Sequence, residues 1–188
     1  MSQPKTLALE ASPVAAFIKN ALIVVSASIL IGLFGKVSIP LPFTPVPMST
    51  QSSLILLLSI FLGAKRAFAA TFLFLAQGAF GLPVFSTAAP AGLAYFFGAT
   101  GGYLIGYLPA SFITGYFAEN FKSKTISGAL VAMTLGNLVI FLFGSAYLST
   151  FVGIKKAFLL GVAPFIVGDI LKTIASLKIL QWAGWIRR

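Results

Sequence analysis

The chain has 188 residues, of which 59% are hydrophobic and 9% charged, with 13 Lys+Arg against 3 Asp+Glu and neither His nor Cys. So large an apolar share with so few charges excludes a water-soluble globular domain and indicates an integral membrane protein. The net charge of +10 does not point to nucleic acid, because the basic residues are scattered between apolar runs rather than gathered on one polar segment.

A helix needs about 20 apolar residues to cross a bilayer, and six candidate runs emerge in chain order. The first apolar run begins late, after Glu10, with no small-residue cleavage site behind it, so it is expected to be retained as the first span rather than removed as a signal peptide. It covers Val14 to Phe34 and ends at Gly35-Lys36. In the loop Ile39-Pro40-Leu41-Pro42-Phe43-Thr44-Pro45-Val46-Pro47, recurrent proline removes donors and forbids a helix, so the segment is expected to be extended. The second run, Ser49 to Gly63 with Thr50 as a cap, is closed by Ala64-Lys65-Arg66. The third, Ala67 to Phe80, ends at Gly81-Leu82-Pro83, and both look short for a full crossing. Val84 to Gly92 reads as an irregular or re-entrant loop. The fourth span runs from Gly98 to Phe117, the fifth from Ile126 to Phe151, and the sixth from about Ala157 to Trp185, bent by Pro164. The expectation is an all-α membrane protein of six transmembrane helices. A single membrane domain over 14–186 follows an N-terminal cytoplasmic segment, 1–13.

Lys and Arg are enriched in cytoplasmic loops. With the N-terminus inside, Lys5, Lys19, Lys65, Arg66, Lys122, Lys124, Lys178, Arg187 and Arg188 are cytoplasmic, against Lys36, Lys155 and Lys156 outside. Both termini are then cytoplasmic, and the Pro-rich and Ser/Ala/Pro loops face outward. The Lys155-Lys156 pair runs counter to that rule. Trp182 and Trp185 beside Arg187-Arg188 fit an interfacial belt at the inner end of the last span.

Without His or Cys there is no imidazole base, thiolate nucleophile, disulfide, or imidazole or thiolate metal site. Glu10 and Glu119 sit in polar segments, so paired-carboxylate catalysis is not expected, and no catalytic or metal-binding residue is assigned. Asp169 alone lies in apolar sequence, in Gly168-Asp169-Ile170-Leu171-Lys172. An ionisable group at membrane depth costs about 2.5 to 3.5 kcal/mol on insertion scales, and the three-residue spacing puts Asp169 and Lys172 on one helical face. The pair either neutralises itself or clamps a small solute, the carboxylate accepting N–H groups and the ammonium donating to oxygens. Gln77 and Gln51 could join it, or bond a neighbouring helix; Asn137 reads as interhelical.

Gly98-Ala99-Thr100-Gly101-Gly102 lacks the strand and lysine of a nucleotide loop. Gly98, Gly102, Gly106, Ala110, Thr114 and Ala118 instead form a smooth stripe for helix packing, echoed weakly by Ala11-x-x-x-Ala15 and Ser12-x-x-x-Ala16. Phe43, Phe80, Val84, Phe85, Tyr95, Phe96 and Phe97 in the outer loops could wall a pocket or anchor in the interface. Nothing resembles an ion-channel filter or charged ring.

Four blocks in order resemble the BioY family, the biotin-binding S components of energy-coupling factor (ECF) transporters. They are Ile39 to Pro47 followed by Gln51; Gly78-Ala79-Phe80-Gly81-Leu82-Pro83-Val84-Phe85; Phe97-Gly98-Ala99-Thr100-Gly101-Gly102-Tyr103-Leu104-Ile105-Gly106; and Pro164-Phe165 with Gly168-Asp169-x-x-Lys172. The resemblance implies an S-component bundle in a prokaryotic cell membrane, with an outward biotin pocket roofed by the first outer loop. Its partners would be a transmembrane coupling protein and two ABC ATPases. Biotin is then the transported ligand, ATP acts only through partner subunits, and the chain has no cofactor and no enzymatic activity of its own. It also implies that Asp169 and Lys172 contact biotin. The family's loop before the fourth helix often carries an Arg-Gly pair where this chain has Pro90-Ala91, leaving Lys172 or backbone N–H groups around Ala91 and Gly92 to make that contact. A small-x-x-x-small motif on the family's first helix docks the coupling protein, and its nearest match here straddles Pro13. The competing readings are an S component for another vitamin, a self-sufficient facilitator or secondary carrier, and a membrane-structural protein.

Overall fold

A computed structural model describes residues 13–86, 92–121 and 125–186. The chain runs α1 (Pro13–Gly35), β1 (Ser38–Ile39), β2 (Met48–Ser49), α2 (Gln51–Leu62), α3 (Ala64–Ala79), a 3₁₀ turn (Leu93–Phe97), α4 (Gly101–Asn120), α5 (Ile126–Val152), α6 (Ile154–Gly161) and α7 (Ala163–Trp182). It is a six-helix membrane bundle whose sixth member is in two pieces. The break falls at Val162, two residues before Pro164, which sits in the first turn of α7 where its missing N–H needs no partner.

Three stretches, α1, α5 and α6 with α7, are long and apolar enough to cross a membrane by length and composition. Large apolar side chains such as Phe17, Leu22, Leu33, Leu138, Leu142 and Val167 are exposed around the bundle, as a hydrocarbon solvent allows. At 12 residues α2 is about 18 Å long, shorter than a hydrocarbon core of about 30 Å. It lies in the bundle's interior, burying Ile55, Leu56, Leu57 and Ile60 against Phe74, Met133 and Leu180.

The Pro-rich segment is closed at its base by a two-residue antiparallel ladder, Ser38 opposite Ser49 and Ile39 opposite Met48. Pro40 and Pro47 stop the ladder there, so only its ends are extended strand. Thr50 stands at the N-cap of α2, but its side chain makes no capping bond there. Its hydroxyl donates to the carbonyls of Phe34 (3.2 Å) and Val37 (3.3 Å), where the end of α1 leaves acceptors without helical partners.

The small-residue stripe packs internally. Gly98 precedes α4, while Gly102, Gly106, Ala110, Thr114 and Ala118 are all buried. A Cβ at Gly102 would lie 2.6 Å from the Phe143 carbonyl and against Tyr147, and one at Gly106 3.0 Å from the Phe143 Cβ. From the other side, Gly144 of α5 accepts the ring of Tyr103. Ala11 and Ser12 of the weaker repeat lie outside the described residues.

Candidate functional site

α7 brings Asp169 and Lys172 to one face near its start. The Lys172 ammonium stands 2.5 Å from the Asp169 carboxylate and donates a second bond to the Ser49 carbonyl at 3.1 Å, with the Asp169 side chain 12% and the Lys172 side chain 19% exposed. Gly168 lets the loop approach this closely: a Cβ there would meet the Met48 methyl at 3.1 Å. The pair is thus fixed against the base of the Pro-rich loop.

The two charges border a cleft between that loop and the helices, with a void of about 600 Å³ including its open mouth. It is narrow, leaving only about 60 Å³ in which a water-sized sphere can be centred. Val46, Pro47, Leu104, Ile140, Phe141 and Phe165 supply apolar wall; Ser49, Gln51, Ser52, Ser86, Tyr95, Thr100, Tyr103 and Tyr107 supply polar groups. The Tyr95 hydroxyl meets Ser86 and Thr100, and the Ser86 hydroxyl is 2.6 Å from that of Ser38. Burial raises the Tyr95 phenol above its ordinary range, and its bonds to Thr100 and Ser86 oppose the rise. Tyr107 sits beside Ser49 and in the field of Asp169. Tyr103 donates to the Gly161 carbonyl at 2.8 Å, fastening α6 to the cleft wall. An ion pair facing hydroxyls across an apolar slot suits a small solute with a donor- and acceptor-bearing head and a hydrocarbon body.

The other expected residues are placed differently. Gln51 reaches the cleft wall at 3% exposure, but its amide nitrogen donates to the carbonyls of Ile31 (3.2 Å) and Val84 (3.3 Å), binding the loops to α1. Gln77 is not on the cleft wall; it donates to the Ser28 hydroxyl at 3.2 Å and ties α3 to α1. Gly92 opens the 3₁₀ turn at φ +93 and accepts from the Tyr95 N–H at 3.1 Å, positioning Tyr95 without lining the cleft. Ala91 and Pro90 lie outside the described residues.

Of the outer-loop aromatics, Phe80 is 90% exposed, and Phe43 and Phe97 also face outward. Phe85 is buried in core, its ring filling the space a side chain at Gly78 would need and packing on Phe74, Tyr95 and Phe96. Sequence reasoning missed Tyr103 and Tyr107. Their four-residue spacing beside Gly102 and Gly106 was the available signal, since phenols on an otherwise smooth helix face point into the protein when buried.

Asp169 and Phe141 also border a second hollow, a groove of about 330 Å³ between α5 and α7 whose other walls include Thr134, Asn137, Ile166 and Thr173. The Asn137 side chain makes no hydrogen bond to another described residue, so the interhelical bond expected of it is not formed.

A model of the BioY family matches residues 4–185. The biotin transporter BioY of Rhizobium etli is 36% identical over 159 residues, covering 80% of this chain and 84% of that protein. The probable biotin transporter BioY of Pyrococcus horikoshii is 38% identical over 137 residues, covering 73% and 80%. The crystal structure of the S-component for biotin from an ECF-type ABC transporter superposes with a TM-score of 0.81 at 27% identity, over 89% of this chain and 92% of that one.

Proposed function

The chain belongs to the BioY family, and on that premise we propose that it is the membrane subunit that captures biotin for an ATP-driven ECF module. The observation that carries the reading is the cleft in which Asp169 and Lys172 are held together and face apolar and hydroxyl-bearing walls. The ureido ring of biotin presents two N–H donors and a carbonyl. Asp169 accepts from the ring, and Lys172, with two of its three N–H donors on Asp169 and Ser49, has a third for a ligand oxygen. The hydrocarbon body lies among Val46, Leu104, Ile140 and Phe165. Gln51, Gln77 and Gly92 hold the walls rather than the ligand.

The cleft is too narrow for a bicyclic ligand as it stands, so entry requires its walls to part. The Pro-rich loop is the wall that can move: it is joined to the bundle by its ladder base, by Ser49 to Lys172, and by the Thr44 hydroxyl to the Leu160 carbonyl at 2.7 Å. The cleft faces outward and both termini face the cytoplasm of a prokaryotic cell, following the basic residues at the opposite end. The whole of 14–186 acts as one domain. Energy for inward release comes from partners, one transmembrane coupling protein and two ABC ATPases, since the chain has no nucleotide motif.

Thermal unfolding of the purified protein in detergent tests this. Biotin at about 100 times its Kd stabilises the wild type by about 2.7 kcal/mol, and Asp169→Asn and Lys172→Ala lose that gain. A wild type indifferent to biotin, or an Asp169→Asn protein stabilised as fully, overturns the assignment.

A further inference from the structure

Three lysines are unexplained by packing, pairing or topology. Lys36 follows α1, and Lys155 and Lys156 occupy the first turn of α6; all three are exposed, and none of their ammonium groups bonds to a described residue. Cations in a helix's first turn oppose its dipole, and on the outer side they oppose the usual charge bias of membrane proteins.

Their common feature is nearness in the chain to residues of the cleft wall and to those that tie down the loop over it. Two residues after Lys36, Ser38 bonds Ser86 of the cleft wall. One turn after Lys156, Leu160 accepts from Thr44 of the loop, and the next residue, Gly161, accepts from Tyr103 of the wall. One turn advances about 6 Å, within the screening length of about 8 Å at physiological salt. Among the described residues no acid opposes them. The chain has three acids: Glu119 ends α4 against Gly63 at the far end, Asp169 is neutralised by Lys172 inside the cleft, and Glu10 lies outside the described residues.

We propose that Lys36, Lys155 and Lys156 form a cationic rim that steers a small-molecule carboxylate to the cleft. The proposal rests on the biotin reading above, whose ligand carries one carboxylate at neutral pH. A rim of this kind acts on encounter and not on the bound state, because the charges lie at the mouth while the polar head of the ligand sits on α7.

The test is stopped-flow association of biotin with wild type and with Lys36→Gln/Lys155→Gln/Lys156→Gln in neutral detergent, at about 20 mM and about 500 mM salt, the latter screening beyond about 4 Å. The expected result is an association rate lowered about fivefold in the variant at low salt, below the usual steering range because the charges are few. The two rates converge at high salt, and dissociation is unchanged. An uncharged biotin amide associates equally with both proteins. Equal biotin association rates at low salt overturn the rim. So does an unchanged rate accompanied by weaker binding of the variant to phosphatidylglycerol nanodiscs, which would make the lysines headgroup anchors. Failure of the wild type to bind biotin at all is a different result and removes the functional reading beneath.

Discussion

α5 meets α4 and α7 in opposite ways. Toward α4 the seam is closed, because Gly102 and Gly106 on one side and Gly144 on the other leave room for backbone and aromatic rings to interlock. Toward α7 it is open, leaving the groove of about 330 Å³ with Asn137 in its wall and Asp169 at its edge. The tight seam builds a fixed wall carrying Tyr103 and Tyr107. α7, which carries the ion pair, is tied at its cleft end by Lys172 to Ser49, and α6, which leads into it, by Tyr103 to Gly161 and Thr44 to Leu160. Stability and ligand handling are therefore expected to separate along these two seams.

The largest effect should come from filling the closed seam. Gly144→Leu drives a side chain into the Tyr103 ring, and overpacking of this sort costs about 3 kcal/mol where neither backbone can withdraw. Thermal unfolding in detergent should show a fall of many degrees, with biotin binding lost because Tyr103 no longer holds α6. Asn137→Leu on the open side serves as its control and should change stability by less than about 0.5 kcal/mol. Equal penalties at both sites would mean the two seams are packed alike.

A smaller effect, carried by the release rate, is expected at the loop tie. Thr44→Val keeps the shape and removes the hydroxyl that donates to Leu160. A neutral hydrogen bond contributes about 1 kcal/mol net, so biotin should leave about five times faster with its association rate nearly unchanged. A slowed association with unaltered release would instead assign the loop a role in capture alone.

The two seams also differ in how readable they were. The stripe from Gly102 to Ala118 shows in the sequence because close helix approach permits only small residues, and a four-residue period needs no partner to be seen. The pair Asp169–Lys172 was legible for the same reason, since both partners lie on one helix. Gln77 was not, because its bond to Ser28 joins residues 49 apart. Tyr103 and Tyr107 were hidden by the apolar company they keep, and Thr50 was misread because its hydroxyl serves α1 rather than its own helix. Local period fixes a helix face; which neighbour that face meets is decided by the whole bundle.

The smallest effect concerns Tyr95, at the outer end of the fixed wall. Burial holds its phenol above the ordinary value of 10.0, while Thr100 and Ser86 pull the other way. A raised phenol favours the protonated form in the folded protein. Its contribution to stability is therefore complete below pH 10.0 and declines above it, where the unfolded chain ionises first and the folded chain still carries the proton. Other groups of the chain also ionise at alkaline pH, so the wild-type curve alone does not isolate the residue. Tyr95→Phe does, because it keeps the ring against Phe85 and deletes only the phenol. The stability difference between wild type and variant should be flat from about pH 6 to about pH 9 and shrink above pH 10.0. A difference that grows with alkalinity would mean the phenolate is the form the folded wall prefers, and the hydroxyl cluster would then be a site for cations rather than for a neutral polar head.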